Sequence, residues 1–433
     1  MSTQVASQEA STYLGVAAGI GELLSREAVW HGDRCSWMGV VPDERSGRAR
    51  VEPTYSALGP DLYGGTAGVA LFLAMLAAST GEATARQTSL GAIRHALSRA
   101  GLQPPGGRLG LFTGWTGIAF AATQVGVLLG EEGLLEDASV LLRQCAAETP
   151  DEVEFDLISG RAGAITALVV LTELLGDRAL LAVARRLGEE LLQAAAGDNG
   201  ERSWRGPAEA QWRDLTGFSH GAAGAGCALL ELYVATSDES FREAAEQAFR
   251  YERRWFDPAA GNWPDFRRDP SRPSSAQPRV AFSTAWCHGA PGIALSRLRA
   301  FEITGDATWK AEALTALRTT QQAVTLGVRT GRANYSLCHG LAGNAEVLAI
   351  GQEILSHEWE GMATLVAEVA HVGIERYAMR GHVWPCGVDG GDTPNLMLGL
   401  AGIGSFYLRL ANPETPSILL LRPSSFRQAP TRD

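Results

Sequence analysis

Residues 338–348 have the sequence "CHGLAGNAEVL", and residues 287–295 have the sequence "CHGAPGIAL". Two of the six cysteines of the chain are therefore followed by His-Gly, and in both cases a second glycine follows three residues after the first. A lone pair of thiols needs neither the histidine nor the glycine frame. The same G-x-x-G frame recurs elsewhere in the chain.

Seven copies of this frame divide the chain into repeats of 46 to 68 residues. After each frame comes a run that is apolar nearly all round, such as "ITALVVLTELL" at 165–175, which is typical of a helix buried on every side. In several repeats an amphipathic segment follows; residues 179–192 place leucines and alanines on one face and charges on the other. The first glycines of the frames, which we call the marker glycines, are Gly65, Gly114, Gly160, Gly221, Gly289, Gly340 and Gly399.

This pattern predicts an all-α fold: an (α/α) toroid, or double barrel, of about seven helix-hairpin repeats. Glycine lets backbones approach closely at helix starts, so the turns should converge at one end of the ring. For the turns near Gly64, Gly114 and Gly399, packing alone is the preferred interpretation. Residues 417–422 ("SILLLR") are a short exception that favours a strand.

We interpret residues 1–433 as a single domain with two irregular insertions, near 198–217 and 256–283, and a polar tail at 412–433. The second insertion leads directly into Cys287. It therefore forms either a rim or lid over that cysteine or an insertion without a role.

The formal net charge of −11 argues against a nucleic-acid partner and against a broad polybasic membrane surface. The N-terminal residues lack the features of a signal peptide, and the longest apolar stretches are too short to span a membrane. We therefore expect a cytoplasmic location, where thiols that matter are metal ligands or nucleophiles and not disulfides. Cys145 and Cys227 lie in apolar helical segments and are expected to be buried for packing.

Three successive repeats place metal-capable residues at the turn: His220 in the fourth, and a Cys-His pair in the fifth and sixth. Thiolate and imidazole ligands suit Zn²⁺. If Cys287, His288, Cys338 and His339 all bound a zinc ion, the site would be a closed structural one. If three of them bound it, one position would stay open for catalysis. These alternatives stay open on the residues alone.

Three stretches together resemble the lanthionine synthetase C-like family, the lanthipeptide cyclases: "GFSHGAAG" (217–224), "AWCHGAPGIAL" (285–295) and "SLCHGLAGNAEVL" (336–348). The resemblance extends over most of the chain, because that family has seven such repeats in a double ring of helices. The "WCHG" and "LCHG" forms are most similar to the cyclase half of bifunctional class II and class IV synthetases.

The resemblance implies zinc ligands at Cys287, Cys338 and His339. It also implies that His220 is a catalytic acid or base, assisted by Asp156, for which a helix N-cap is the alternative interpretation.

Two further positions depart from the family's pattern. His288 stands where many free-standing members have tyrosine, so it is only an accessory candidate. Ser283 stands where many members have arginine, four residues before the first zinc cysteine, so that arginine's task is performed otherwise or not at all.

The function that the resemblance implies is a zinc-dependent addition of peptide cysteine thiolates to dehydroalanine or dehydrobutyrine, which forms lanthionine or methyllanthionine rings in a dehydrated precursor peptide. A separate dehydratase is then a candidate partner. One alternative is a related enzyme that adds glutathione to dehydroamino acids. Another is a non-catalytic, zinc-stabilised toroid that binds peptides.

Overall fold

The computed structural model of the protein describes residues 3–41, 54–147, 154–198, 200–206, 211–268, 279–356, 361–389 and 391–426. Seven α-helices in these ranges form an inner layer, and seven form an outer layer. The inner helices are α2 (Thr66–Thr80), α4 (Trp115–Leu129), α6 (Arg161–Leu175), α8 (Ala222–Thr236), α10 (Ala290–Thr304), α12 (Leu341–Leu355) and α14 (Leu400–Ala411). The outer helices are α1 (Thr3–Glu27), α3 (Ala83–Arg99), α5 (Glu132–Ala147), α7 (Arg178–Ala194), α9 (Glu239–Trp255), α11 (Ala307–Thr330) and α13 (Met362–Gly373).

The inner helices form a closed ring, because each packs against the next and α14 packs against α2. Six inner helices pack against the outer helix that follows them in the chain. The seventh, α14, packs against α1 instead, so the last hairpin is assembled from the two ends of the sequence. The predicted all-α toroid of seven repeats is therefore confirmed. None of the helices in the described ranges combines the length and apolar character needed to span a membrane.

Two-residue links join five of the inner helices to their outer partners. In the third hairpin Gly176 ends α6 in the left-handed conformation (φ 66°), which glycine adopts without a steric penalty. The next residue, Asp177, accepts a hydrogen bond from the Ala179 N–H (2.9 Å) and so caps α7. The apolar face predicted for α7 is buried at Leu180, Ala184, Leu187 and Leu191.

The marker glycines all stand at the N-caps of the inner helices. A Cβ atom at Gly160 would lie 2.4 Å from the Glu154 carbonyl oxygen, and one at Gly163 would lie 2.1 Å from the Leu157 carbonyl oxygen. Both glycines of the frame are therefore required because the preceding loop folds back directly over the start of the helix.

A closed circle of backbone hydrogen bonds links the seven turns. In each turn the carbonyl of the residue two positions before the marker glycine accepts an N–H from the preceding repeat; we call these residues the carbonyl ring. Its members are Tyr63, Phe112, Ile158, Ser219, Cys287, Cys338 and Met397, and the shortest donor–acceptor distance at each carbonyl is 2.9 to 3.1 Å. Because Met397 donates to the Tyr63 carbonyl (3.1 Å), the circle closes on itself.

A buried tryptophan fills the centre of the ring near the turns. The Trp286 side chain is fully buried against Phe112 and Phe218, with ring centroids 5.2 and 5.9 Å away. Its indole N–H donates to the Leu419 carbonyl (3.0 Å) from the predicted polar tail. Residues 418–421 of that tail are buried, and residues 427–433 lie outside the described residues.

The strand predicted at 417–422 is wrong. Most side chains of this segment are buried, but within the described residues its backbone pairs with no other strand. The strands of the described chain lie near the N-terminus instead, as two antiparallel pairs. They are β1 (Val29–His31) with β2 (Arg34–Ser36), and β3 (Met38–Val41) with β4 (Thr54–Ala57).

The two predicted insertions are irregular in their described parts and contact each other. Gln211 of the first forms an isolated β-bridge with Arg267 of the second, and Asp265 bridges Ala281. Within these insertions residues 199, 207–210 and 269–278 lie outside the described residues.

Candidate active site

The thiols of Cys287 and Cys338 lie within hydrogen-bonding distance of each other at the mouth of the ring. They come together because both residues belong to the carbonyl ring in adjacent repeats. Cys338 is buried, whereas Cys287 is partly exposed.

The surroundings of the two sulfurs shift the pKa values of Cys287 and Cys338 in opposite directions. The hydrogen bond from Cys338 lowers the pKa of Cys287, and the positive charges of Arg267 and His220 lower it further against the effect of burial. The pKa of Cys338 is raised well above its ordinary value, because the thiol donates to Cys287 and is buried. Cys287 is therefore the sulfur that this site favours as a thiolate.

His220 and Asp156 form a hydrogen-bonded pair at the same mouth, with 2.5 Å between His220 Nδ1 and Asp156 Oδ2. The second oxygen of the buried Asp156 accepts the Ser159 N–H (2.7 Å), which fixes the carboxylate in its loop. Asp156 does not cap α6, since the N-cap residue is Gly160. Burial opposes the imidazolium form, but the hydrogen bond and charge of Asp156 outweigh it, so the pKa of His220 is raised.

The turn that carries His220 is held from the outer layer. One oxygen of the fully buried Glu252, on α9, accepts the N–H groups of Gly217 (2.8 Å) and Ala223 (3.0 Å) on either side of the histidine. Its other oxygen lies 3.0 Å from Nη2 of the buried Arg297. This network fixes the backbone of the turn and leaves the imidazole at the mouth.

His288 is buried and lies beside His220. The two imidazole rings stack with centroids 5.8 Å apart, and His288 Nδ1 is 3.9 Å from Asp265 Oδ1. Burial and the nearby Arg267 charge lower the pKa of His288 to about 3, so the ring is neutral near pH 7.

His339 is exposed, and its Nε2 lies 3.1 Å from the Gly387 carbonyl oxygen. In the described part of the chain, no group of three or more His, Cys, Asp or Glu side chains is arranged to hold a metal ion. The structure thus joins the two sulfurs, while the zinc site of Cys287, Cys338 and His339 stays a prediction.

Residues 56–420 match the family model described as lanthionine synthetase C-like protein. The chain belongs to this family. Among solved structures, it is similar to nisin cyclase at 18% identity, with a TM-score of 0.63 over 84% of this chain and 93% of that one. It is also similar to a family 76 glycoside hydrolase from a bovine Bacteroides thetaiotaomicron strain, at 11% identity and a TM-score of 0.50, over 93% of this chain and 78% of that one. At such identities these structures support the fold alone.

One residue at the mouth of this lanthionine synthetase C-like chain comes from a turn that the sequence assigned to packing. Tyr63, in the first repeat, hydrogen-bonds the Cys338 sulfur through its side chain. A signal for it exists, because Tyr63 stands two residues before its marker glycine, as Cys287 and Cys338 do.

Two more residues enter the site from the second insertion. The Asp265 carboxylate accepts from Arg267 Nε (3.0 and 3.1 Å) and from Arg267 Nη2 (2.6 Å). Although burial opposes it, the arginine holds the pKa of Asp265 down at about 2. For its described part, the insertion is therefore a rim of the site. No repeat marks these positions, so the sequence did not single them out.

Proposed function

We propose that this protein is a lanthionine cyclase, which adds a cysteine thiol of a dehydrated peptide to a dehydroalanine or dehydrobutyrine of the same peptide. The observation that carries the proposal is the meeting of a thiol pair and an Asp–His pair at one mouth of the ring. Membership of the lanthionine synthetase C-like family and the likeness of fold to nisin cyclase support it.

Cys287, Cys338 and His339 are the residues that would hold a zinc ion, and they fit it in donor type. The two sulfurs are already in contact, and Nε2 of His339 is engaged by the Gly387 carbonyl, which leaves Nδ1 for a metal. A metal-bound histidine typically donates its other N–H to such a carbonyl. When bound, the ion would supply a positive centre that holds the sulfur of the substrate as a thiolate.

The field of the helices favours negative charge at the same mouth. All seven inner helices begin there, because their marker glycines follow the carbonyl ring by two residues. The N-terminal end of each helix carries a partial positive charge. Anions that arise during the reaction are therefore stabilised by the fold itself as well as by single side chains.

His220 supplies the proton in the proposed reaction. The substrate sulfur forms a bond to the β-carbon, and the π electrons of the C=C bond move onto the α-carbon and its carbonyl to give an enolate. The imidazolium of His220 then donates its proton to the α-carbon. The proton released from the substrate thiol restores the imidazolium, so that in sum S–H adds across the double bond. Asp156 keeps His220 protonated and oriented through the 2.5 Å contact.

A synthetic peptide with one dehydroalanine and one cysteine four residues apart tests the proposal. The full chain, supplied with zinc, should convert it to a product of unchanged mass whose thiol no longer reacts with N-ethylmaleimide. His220→Ala and Cys338→Ala should each abolish conversion while circular dichroism shows a folded helical protein. Cys227→Ala is the matched control, because Cys227 is a buried cysteine of α8 outside the mouth.

Other results would contradict the proposal in recognisable ways. A glutathione adduct of higher mass, formed in preference to the ring, would favour the glutathione-adding alternative. Two results together would favour the non-catalytic toroid. The wild-type protein would form no thioether ring, and Cys338→Ala would both lose zinc and unfold.

A further inference from the structure

Arg267 is brought to the mouth of the ring by the pairing of the two insertions. Its backbone bridges Gln211 on one side, and two residues earlier the Asp265 N–H donates to the Ala281 carbonyl (2.8 Å). Residue 281 lies six positions before Cys287, so these bridges fix the arginine beside the chain that leads to the thiol pair.

The Arg267 side chain is held in one direction by a buried carboxylate. Asp265 is 8% exposed and binds the edge of the guanidinium formed by Nε and Nη2, and it also accepts the Arg267 backbone N–H (3.1 Å). The Arg267 side chain itself is about half exposed (47%). The N–H groups of Nη1 take no part in the contact with Asp265, so a ligand at the mouth can use them.

The same carboxylate links Arg267 to both halves of the site. Asp265 Oδ2 lies 3.4 Å from Ser283 Oγ, and Asp265 Oδ1 lies 3.9 Å from Nδ1 of His288, which stacks on His220. The guanidinium therefore lies next to the position where related sequences carry an arginine and this chain carries Ser283. The charge of Arg267 acts on both Cys287 and His220, so the guanidinium lies within electrostatic range of both.

We propose that Arg267, oriented by Asp265, is a catalytic residue that binds the carbonyl oxygen of the dehydroamino acid, and that it replaces the arginine missing at Ser283. This inference rests on the proposed cyclase function. As the sulfur bonds to the β-carbon, the charge on the enolate oxygen grows, and the guanidinium N–H groups donate to that oxygen. No bond of Arg267 breaks, and His220 still delivers the proton to the α-carbon.

The test compares Arg267→Gln with Arg268→Gln, the adjacent arginine of the same insertion, on the dehydroalanine–cysteine peptide. Removing one donor to a developing oxyanion costs on the order of 100-fold or more in kcat. We therefore expect R267Q to lower kcat for ring closure about 100-fold, with peptide affinity changed less than about threefold, and R268Q to stay close to the wild type. Ser283→Arg added to R267Q should raise kcat at least tenfold above that of R267Q alone, because it returns a guanidinium to the Asp265 carboxylate.

R267Q leaves the Asp265 carboxylate buried without its partner, so the variant D265N/R267Q removes that charge and keeps the test valid if R267Q is unstable. If either folded variant closes rings within threefold of the wild-type rate, the role of Arg267 is disproved while the cyclase function stands. An equal loss of rate in R268Q, or no rescue by S283R, would reduce Arg267 to a structural partner of Asp265. A wild-type protein that forms no ring rejects the proposed function itself.

Discussion

The tripeptide Cys-His-Gly occurs twice at the mouth of the ring, and the two copies are folded differently. At Cys338 the following histidine is exposed and Gly340 has an extended backbone (φ −114°). At Cys287 the following histidine is buried and Gly289 has a positive φ of 84°. The imidazole of His339 is thus exposed while that of His288 stacks on His220, although the sulfurs of both copies meet.

The largest expected effect concerns the two glycines. A Cβ at Gly289 would lie 1.8 Å from the Ser283 carbonyl oxygen and would also suffer the positive φ, whereas a Cβ at Gly340 would meet the Ser336 N–H nitrogen at 2.3 Å without that strain. We expect Gly289→Ala to lower the free energy of unfolding by about 4 kcal/mol and Gly340→Ala by about 2 to 3 kcal/mol, since a strained backbone conformation adds roughly 1 to 3 kcal/mol.

Urea unfolding followed by circular dichroism measures both values. Gly81→Ala is the control for backbone strain alone, because Gly81 has φ 76° and no neighbour within 4 Å of the added Cβ. Its cost should be about 1 kcal/mol. Equal costs for G289A and G340A would show that the two tripeptides do not differ in backbone strain.

The next largest effect concerns the affinity for zinc. Loss of a group that merely orients a ligand typically costs 10- to 100-fold in metal affinity, so loss of a ligand should cost at least about 100-fold. We expect His339→Ala to reduce zinc affinity by that factor and His288→Ala to leave it within about threefold. Competition with a chromogenic chelator gives the affinities without any substrate. A loss of affinity in H288A as large as in H339A would mean that both tripeptides give an imidazole to the metal, which leaves no open position.

The third difference is in acid sensitivity. His288 has a folded pKa of about 3, while the unfolded chain has the ordinary value of 6.5. Between these two pKa values the unfolded state binds a proton at His288 and the folded state does not. The free energy of unfolding therefore falls as the pH drops from about 6.5 towards 3. The limiting slope is about 1.4 kcal/mol per pH unit, so the loss at pH 5 is about 2 kcal/mol.

His288→Leu should abolish the loss of stability that protonation of His288 causes at low pH. The control variant His339→Gln should retain it. Urea midpoints at pH 7 and pH 5, with a metal chelator present throughout, measure the difference. If H288L and the wild type lose stability equally between these pH values, His288 does not carry the acid sensitivity.

The smallest effect concerns the proton donor His220, on which the histidine of the first tripeptide stacks. Asp156 raises the pKa of His220, so the imidazolium persists to higher pH and the rate of ring closure should fall only as the pH rises through that raised value. Asp156→Asn should move this alkaline limb to lower pH, because the hydrogen bond and the charge of Asp156 are what hold the pKa of His220 up. Asp61→Asn is the control, because Asp61 holds the same turn position and accepts the Gly64 N–H (2.7 Å) but, in the described part of the chain, has no hydrogen bond to a histidine like that of Asp156 with His220. A pH–rate profile unchanged by D156N would contradict the role of the pair.

The fold could be predicted from the sequence because its repeat is encoded in backbone requirements. Each marker glycine stands where a Cβ would strike the preceding loop, so the seven glycines record the seven turns directly. The pairing of Cys287 with Cys338 follows from the same period. The different environments of His288 and His339 do not, because both residues stand between a cysteine and a marker glycine, so the local sequence does not distinguish them.

Arg267 and Asp265 could not be predicted for another reason. They belong to an insertion that interrupts the repeat. Their position is set by β-bridges to Gln211 and Ala281, and no local sequence pattern predicts these bridges. The Asp156–His220 pair lies between these extremes. The resemblance to the family suggested it, but only the structure distinguishes a carboxylate that binds the imidazole from one that caps a helix.

The carbonyl ring has a consequence for how this protein unfolds. An open array of repeats has two ends, and its terminal repeats can melt while the others persist. Here Met397 donates to Tyr63, and α1 completes the hairpin of α14, so no repeat is terminal. Breaking any one turn removes hydrogen bonds from both of its neighbours. We therefore expect the toroid to unfold as a single cooperative unit, so that the mouth that holds the thiols is lost when any one repeat opens.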